Sequence, residues 1–402
     1  MAKNINHKRQ MFTSVDGPNL KIPLLEPQFS GNESVYLQQC ISSGYVSSIG
    51  PFVSRFETKL SNIMCSAGAV AVSSGTAALH VMLLAAGVKP NDLVIIPTYT
   101  FIGTANSIRQ CFSVPWLVDI LADDLTLDHD LLKKTLESET NLENGICIHS
   151  DSGRTVSAIM PVHTLGATPR MDLLADIAEE FHLSLIVDGA AALGTKFNDK
   201  PLSKTGASMT SLSFNGNKVI TTGGGGAVIS DNLDLLEFVR KISGTAKIEG
   251  SYNHDCVAFN YSMSNLHAAV GCAQLEVLPE FLKTKERIKR NYETGLKDVV
   301  SLTPVKHNTY CKSSHWISAF TLSTLDLANS LRSHLNNAFI EARLFWKPLH
   351  LQKPHQNAIK TKTDVSDDIW QRLMPLPSST NLTEEKQDYI INVILDWAET
   401  SH

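Results

Sequence analysis

The 402 residues contain no framework for disulfides or zinc. Seven cysteines (40, 65, 111, 147, 256, 272 and 311) are scattered, odd in number and free of Cys-x-x-Cys pairs, which suits reduced thiols. Long apolar runs are missing too: nothing approaches the ~18 residues a bilayer span requires. The opening MAKNINHKRQMF is basic but has no apolar segment of signal-peptide length, so the expectation is a cytoplasmic protein with no membrane partner. There is no basic surplus. Lys and Arg number 35 against 40 Asp and Glu, for a net charge of -5 and a pI near 6.3, which argues against a nucleic-acid partner. No Gly-x-Gly-x-x-Gly follows an early strand, which disfavours a Rossmann dehydrogenase. Internal repeats and low-complexity segments are absent.

What is present is a strand–helix alternation. AVAVSS (69–74) precedes the helical TAALHVMLLAAG (76–87). LVIIP (93–97) leads to a helical stretch near 101–111 and then VPWLVDI (114–120). SAIMPVH (157–163), MDLLADIAEEFH (171–182) and LSLIVD (183–188) follow, with SLSF (211–214) and GAVISD (226–231) completing the set. This order predicts an α/β fold with a large, mostly parallel sheet. From about 265 the texture changes. NLHAAVGCAQLEVLPEFLKTKERIKRNYE reads as one long helical stretch, SSHWISAFTL (313–322) as a strand and LDLANSLRSHLNNA (325–338) as a helix, together a smaller α+β domain. The expected domains are 22–260 and 261–402.

Parallel sheets bind ligands outside the carboxyl ends of their strands, and three polar groups fall there. Ser73-Ser74-Gly75-Thr76 is a small-residue turn opening a helix, either an ordinary N-cap or a phosphate cradle. Asp188 ends an apolar strand before Gly189-Ala190-Ala191, where a carboxylate either caps a loop or keeps a pyridine nitrogen protonated. Lys218 is the lone charge between 205 and 230; a desolvated lysine there can form a Schiff base with an aldehyde cofactor. The run Gly223–Gly226 lacks a following Gly-Lys-Ser/Thr and is read as close packing and turn geometry. No residue set suggests a metal. Trp116, Trp316 and Trp370 are read as core.

Taken jointly, Ser-Gly-Thr-Ala-Ala-Leu (74–79), Thr-Phe (100–101), Val-Asp-Gly-Ala-Ala (187–191), Ser-Phe-Asn-Gly-Asn-Lys (213–218), Thr-Gly-Gly-Gly-Gly (222–226) and Asn-Tyr-Ser-Met (260–263) resemble the DegT-type nucleotide-sugar aminotransferases. Flanking matches at 50–57, 268–276 and 375–379 extend the resemblance over about residues 22 to 385.

The resemblance implies a fold-type-I transferase dependent on pyridoxal 5'-phosphate. It makes Lys218 the Schiff-base lysine and proton carrier, Asp188 the partner of the pyridine nitrogen, and Phe101 the ring-stacking aromatic. Gly75, Thr76 and Ser213 become phosphate donors, and Asn260 a phosphate contact in the neighbouring subunit's site, which requires a homodimer with shared sites. His163 either faces the cofactor or substrate or is a satisfied buried histidine, and Arg343 either matches a family arginine near the substrate mouth or makes a surface salt bridge. The implied substrates are glutamate and a nucleotide-linked keto-sugar. The motifs most resemble enzymes aminating UDP-4-keto-6-deoxy-N-acetylhexosamines for surface polysaccharides.

Two positions depart from the pattern. Ala191 stands where family members carry Gln, Glu or His against the cofactor's ring hydroxyl, and Ser262 replaces an arginine whose loss is expected to weaken phosphate or nucleotide-sugar binding. They give a non-catalytic regulatory protein as the alternative. A dehydratase of the same fold would carry histidine in place of Lys218.

Overall fold

The structure, a computed structural model, describes residues 21–400; the opening segment MAKNINHKRQMF and residues 401 and 402 lie outside them. Eight strands form the main sheet: β1 (Gly68–Val72), β2 (Leu93–Pro97), β3 (Val114–Val118), β4 (Val156–Ile159), β5 (Ser184–Asp188), β6 (Met209–Ser213), β7 (Gly226–Ser230) and the edge strand β8 (Ile359–Lys360). Their spatial order is β1-β7-β6-β5-β4-β2-β3-β8. Only β7 runs against its neighbours; β1 to β6 and β8 point one way. The mostly parallel sheet expected from the alternation is therefore present, and the carboxyl ends of β1, β2, β4, β5 and β6 share one edge.

Both faces are covered, and the side-chain period of two shows it. In β2, Val94 and Ile96 join the apolar cluster beneath helix α1 (Gly75–Ala85), while Leu93 and Ile95 pack on the opposite side with Leu174 and Ile177. Helix α1 is buried continuously from Ala77 to Leu83, as expected of a helix apolar all round. Ser74 caps it, its hydroxyl accepting from the amide of Ala77.

The long helical stretch expected after 265 is two helices, α2 (Asn265–Glu276) and α3 (Leu278–Gly295). The break falls at Val277, because Pro279 lacks the N–H that would continue α2 and is tolerated only in the first turn of a new helix. Beyond it, a three-stranded antiparallel sheet (Leu302–Pro304, Ala319–Leu322 and Leu373–Pro375) packs with α3, Leu325–Asn337 and Glu384–Thr400 around a separate core. The strand expected over 313–322 begins only at Ala319. Among the described residues no helix is long and apolar enough to cross a membrane, no cluster could hold a metal, and every cysteine is free.

Candidate active site

At the shared edge the chain encloses a cavity of about 450 Å³. Gly75, Thr76, Phe101, His163, Asp188, Ser213, Lys218 and Arg343 all line it. Asn260 does not: it is exposed, bridged by its backbone to Gly244.

One end of the cavity is built for an anion. The amides of Gly75 and Thr76, at the start of α1, have no intrahelical acceptor, and the helix end carries partial positive charge. The hydroxyls of Thr76 and Ser213 belong to the same lining and have no partner among the described residues. Gly75 is needed for the close approach: a Cβ there would lie 2.7 Å from the Cβ of Ser213. Gly224 and Gly225 line the same region, and a Cβ on Gly226 would meet the carbonyl oxygen of Ser74 at 2.4 Å. The glycine run thus serves close packing against the cradle.

At the other end Asp188 is buried at 3% exposure. Thr104 donates its hydroxyl to Oδ2 at 2.7 Å and the amide of Ala190 donates to Oδ1 at 3.1 Å. Burial lifts its carboxyl above the ordinary value, while these donors and the charge of Lys218 pull it back. Burial also pushes the Lys218 ammonium down to about 8 against the opposing pull of Asp188. Lysine at that value supplies a substantial neutral fraction near physiological pH, which is what a nucleophilic amine needs.

Trp316 is buried in the core as expected, at 2% exposure, and it also lines the cavity. Its indole N–H donates to the carbonyl of Asn217 at 2.5 Å, and its ring lies 4.0 Å from Nζ of Lys218. With Phe345 and Trp346, whose rings are 4.5 Å apart, it forms an aromatic wall over the lysine. Trp116 is buried in the core as expected, and Trp370 packs, half-buried, against the core cluster that contains Trp316. Phe101 stands 55% exposed at the cavity, with Trp346 at 6.5 Å, leaving a ring face open to a flat ligand. Thr104 and Trp346 were missed as well. Thr104 sits one helical turn after Phe101, a signal visible only once its helix is placed against β5.

Arg343 lies at the cavity mouth, largely exposed, with Nε 3.2 Å from Glu341. Ser262 lies off the cavity lining, its hydroxyl donating to the carbonyl of Ser243 at 3.3 Å. Ala191 is buried in the wall, its carbonyl accepting from the Ser314 hydroxyl at 2.8 Å.

An anion cradle, a buried carboxylate, an open aromatic face and a desolvated lysine in one cavity fit the phosphate, pyridine nitrogen, ring and aldehyde of pyridoxal phosphate, in that order. Comparison with known proteins agrees. The model of the DegT/DnrJ/EryC1/StrS aminotransferase family matches residues 27–395. A GDP-perosamine synthase of Vibrio cholerae is 33% identical over 94% of this chain and 99% of its own length. Another GDP-perosamine synthase, from Escherichia coli O157:H7, is 30% identical over 93% of this chain and 97% of its own. A DegT DnrJ EryC1 StrS aminotransferase of Brucella abortus, known by crystal structure, superposes with a TM-score of 0.84 at 25% identity, covering 91% of this chain and 95% of that one. This chain belongs to the DegT/DnrJ/EryC1/StrS aminotransferase family, whose cofactor is pyridoxal phosphate.

Proposed function

We propose that the enzyme transfers the amino group of glutamate to the carbonyl of a nucleoside-diphosphate-linked keto-sugar. The observation that carries this reading is Lys218 and Asp188 facing one cavity whose far end is an anion cradle. Bound there, pyridoxal phosphate supplies an electron sink for the bond broken at the substrate carbon. Lys218 holds the cofactor and, once displaced by an incoming amine, carries the proton to and from that carbon. Asp188 keeps a proton on the ring nitrogen, and Gly75, Thr76 and Ser213 anchor the phosphate. Phe101 and the aromatic wall exclude water from the reacting face. Arg343 meets the substrate at the mouth. Asn260, exposed and outside the lining of its own cavity, serves the site of a second copy in a homodimer.

On the nucleotide, the motif resemblance favours UDP, whereas two relatives at 30–33% identity are GDP-perosamine synthases. The names of these relatives weigh towards a GDP-linked sugar. The test is 2-oxoglutarate release by the purified enzyme from glutamate with UDP-linked and GDP-linked 4-keto-6-deoxy sugars, alongside Lys218→Ala. Turnover with either sugar that needs Lys218 supports the reading, and the preferred nucleotide assigns the class. A Lys218-dependent cofactor band that ignores glutamate and both sugars would overturn it in favour of a non-catalytic role.

A further inference from the structure

His163 follows β4 at the cavity wall, 1% exposed, with both buried ring nitrogens lacking a partner among the described residues. Among the described residues it is the one side chain with two such orphaned atoms. An imidazole always has a donor or acceptor to satisfy, and burying it unpaired carries a desolvation penalty. Its backbone position is tightly defined. The His163 amide donates to the carbonyl of Asp188 at 3.0 Å, the Asp188 amide donates to Pro161 at 3.0 Å, and Val162 pairs with Asp188 as a parallel bridge. The His163 backbone is thereby tied to that of Asp188, and both side chains line the cavity.

A complementary deficit lies in the lining of the same cavity. At position 191 the family pattern places a polar side chain against the cofactor's ring hydroxyl, but Ala191 offers only a methyl group, and its carbonyl is occupied by Ser314. In pyridoxal phosphate that hydroxyl is two ring atoms from the nitrogen facing Asp188 and adjacent to the carbon that Lys218 must reach. One polar group of the cofactor lacks its usual donor, and one imidazole in the same wall lacks a partner.

We propose that His163 donates a ring N–H to the ring hydroxyl of bound pyridoxal phosphate, taking over the contact that position 191 has lost. This rests on the cofactor reading above. The surroundings favour a neutral donor: burial pushes the imidazole down to about 3, and the charged groups at the cavity are Asp188, Lys218 and, at the mouth, Arg343. A donor on this oxygen stabilises its negative charge. The nitrogen joining the cofactor to Lys218, which shares a proton with that oxygen, then releases it at lower pH.

The test is an absorbance pH titration of the cofactor-loaded enzyme, reading the midpoint of the spectral change, with cofactor affinity measured by dialysis. His163→Ala should raise the midpoint by about one pH unit, a tenfold change in that proton's equilibrium, and weaken cofactor retention. His163→Gln, which keeps an N–H donor, should restore most of the midpoint. So should Ala191→Gln added to His163→Ala, because it supplies the donor from the other position. An unchanged midpoint in a His163→Ala enzyme that carries cofactor overturns the proposal, and a raised KM for the keto-sugar with that unchanged midpoint would assign His163 to substrate instead. A wild-type enzyme without any Lys218-dependent band overturns the cofactor reading and this proposal together.

Discussion

The hydroxyl of Thr104 donates to Oδ2 of Asp188 at 2.7 Å across 84 residues of sequence. With the Ala190 amide on Oδ1, it fixes the plane of the one carboxylate that can face a pyridine nitrogen, and it opposes the upward push of burial on that carboxyl.

Removing this donor should therefore reach catalysis through Asp188. A hydrogen bond to a charged group contributes about 1.5–3 kcal/mol, so Thr104→Val is expected to lower kcat by roughly tenfold to a hundredfold with the fold intact. Asp188→Asn should lose more, on the order of 10²–10³, as when a preorganised charged partner is removed. Steady-state kinetics and circular dichroism of both variants check this. Equal kcat in Thr104→Val and wild type would show that the carboxylate needs no such clamp.

Lys218 should impose a pH profile on cofactor capture. The amine reacts only when neutral, and its pKa is pushed down to about 8. The rate at which cofactor-free enzyme takes up pyridoxal phosphate should rise with pH through about 8 and then level off; Lys218→Ala should show no covalent uptake. Stopped-flow absorbance measures both. A rise continuing towards the ordinary lysine value of about 10.4 would mean that the ammonium is solvated in the free enzyme.

The cradle makes a separate prediction. In Gly75→Ala the new Cβ would meet the Ser213 Cβ at 2.7 Å and its Oγ at 2.9 Å; the Oγ can rotate away, but the Cβ is fixed to the backbone. Spreading the cradle should weaken pyridoxal phosphate at least tenfold while pyridoxal without its phosphate is affected less. Equilibrium dialysis with the two ligands separates the cases; equal losses would place the damage elsewhere than at the phosphate.

Lys285 carries a stability signature. It is buried, donates to the carbonyls of Trp316 (3.0 Å) and Ser378, and burial pushes its pKa down to about 7. The unfolded chain holds that proton up to about 10.4. Between these values it binds one more proton than the native state, so stability should rise with pH by about 1.4 kcal/mol per unit, flattening below about 7. Denaturant titrations across this range should show the rise in wild type and its loss in Lys285→Met. Identical slopes would mean that Lys285 stays charged when folded.

The alternating apolar runs and the polar residues at their ends made the parallel sheet and most of the cavity readable without coordinates. Periodicity is a local property, and Ser74, Gly75, Asp188 and Lys218 each sit within a few residues of a strand end. Trp316 escaped because its segment reads as strand. In the fold, Ser313 and Ser314 instead spend their hydroxyls on the carbonyls of Gly166 and Ala191, holding 313–318 as a loop. Those acceptors lie 147 and 123 residues away, beyond any local pattern.

From residue order came the α/β class, the family by its motif resemblance, and most of the residues that line the cavity, because strand period, turn residues and motif spacing are written along the chain. Only the tertiary structure decided that Trp316 lies over Lys218, that Thr104 clamps Asp188, and that His163 is left without a partner among the described residues in a cavity that Ala191 also lines. Each of these is a relation between segments far apart in sequence, set by how the layers close over the strand ends.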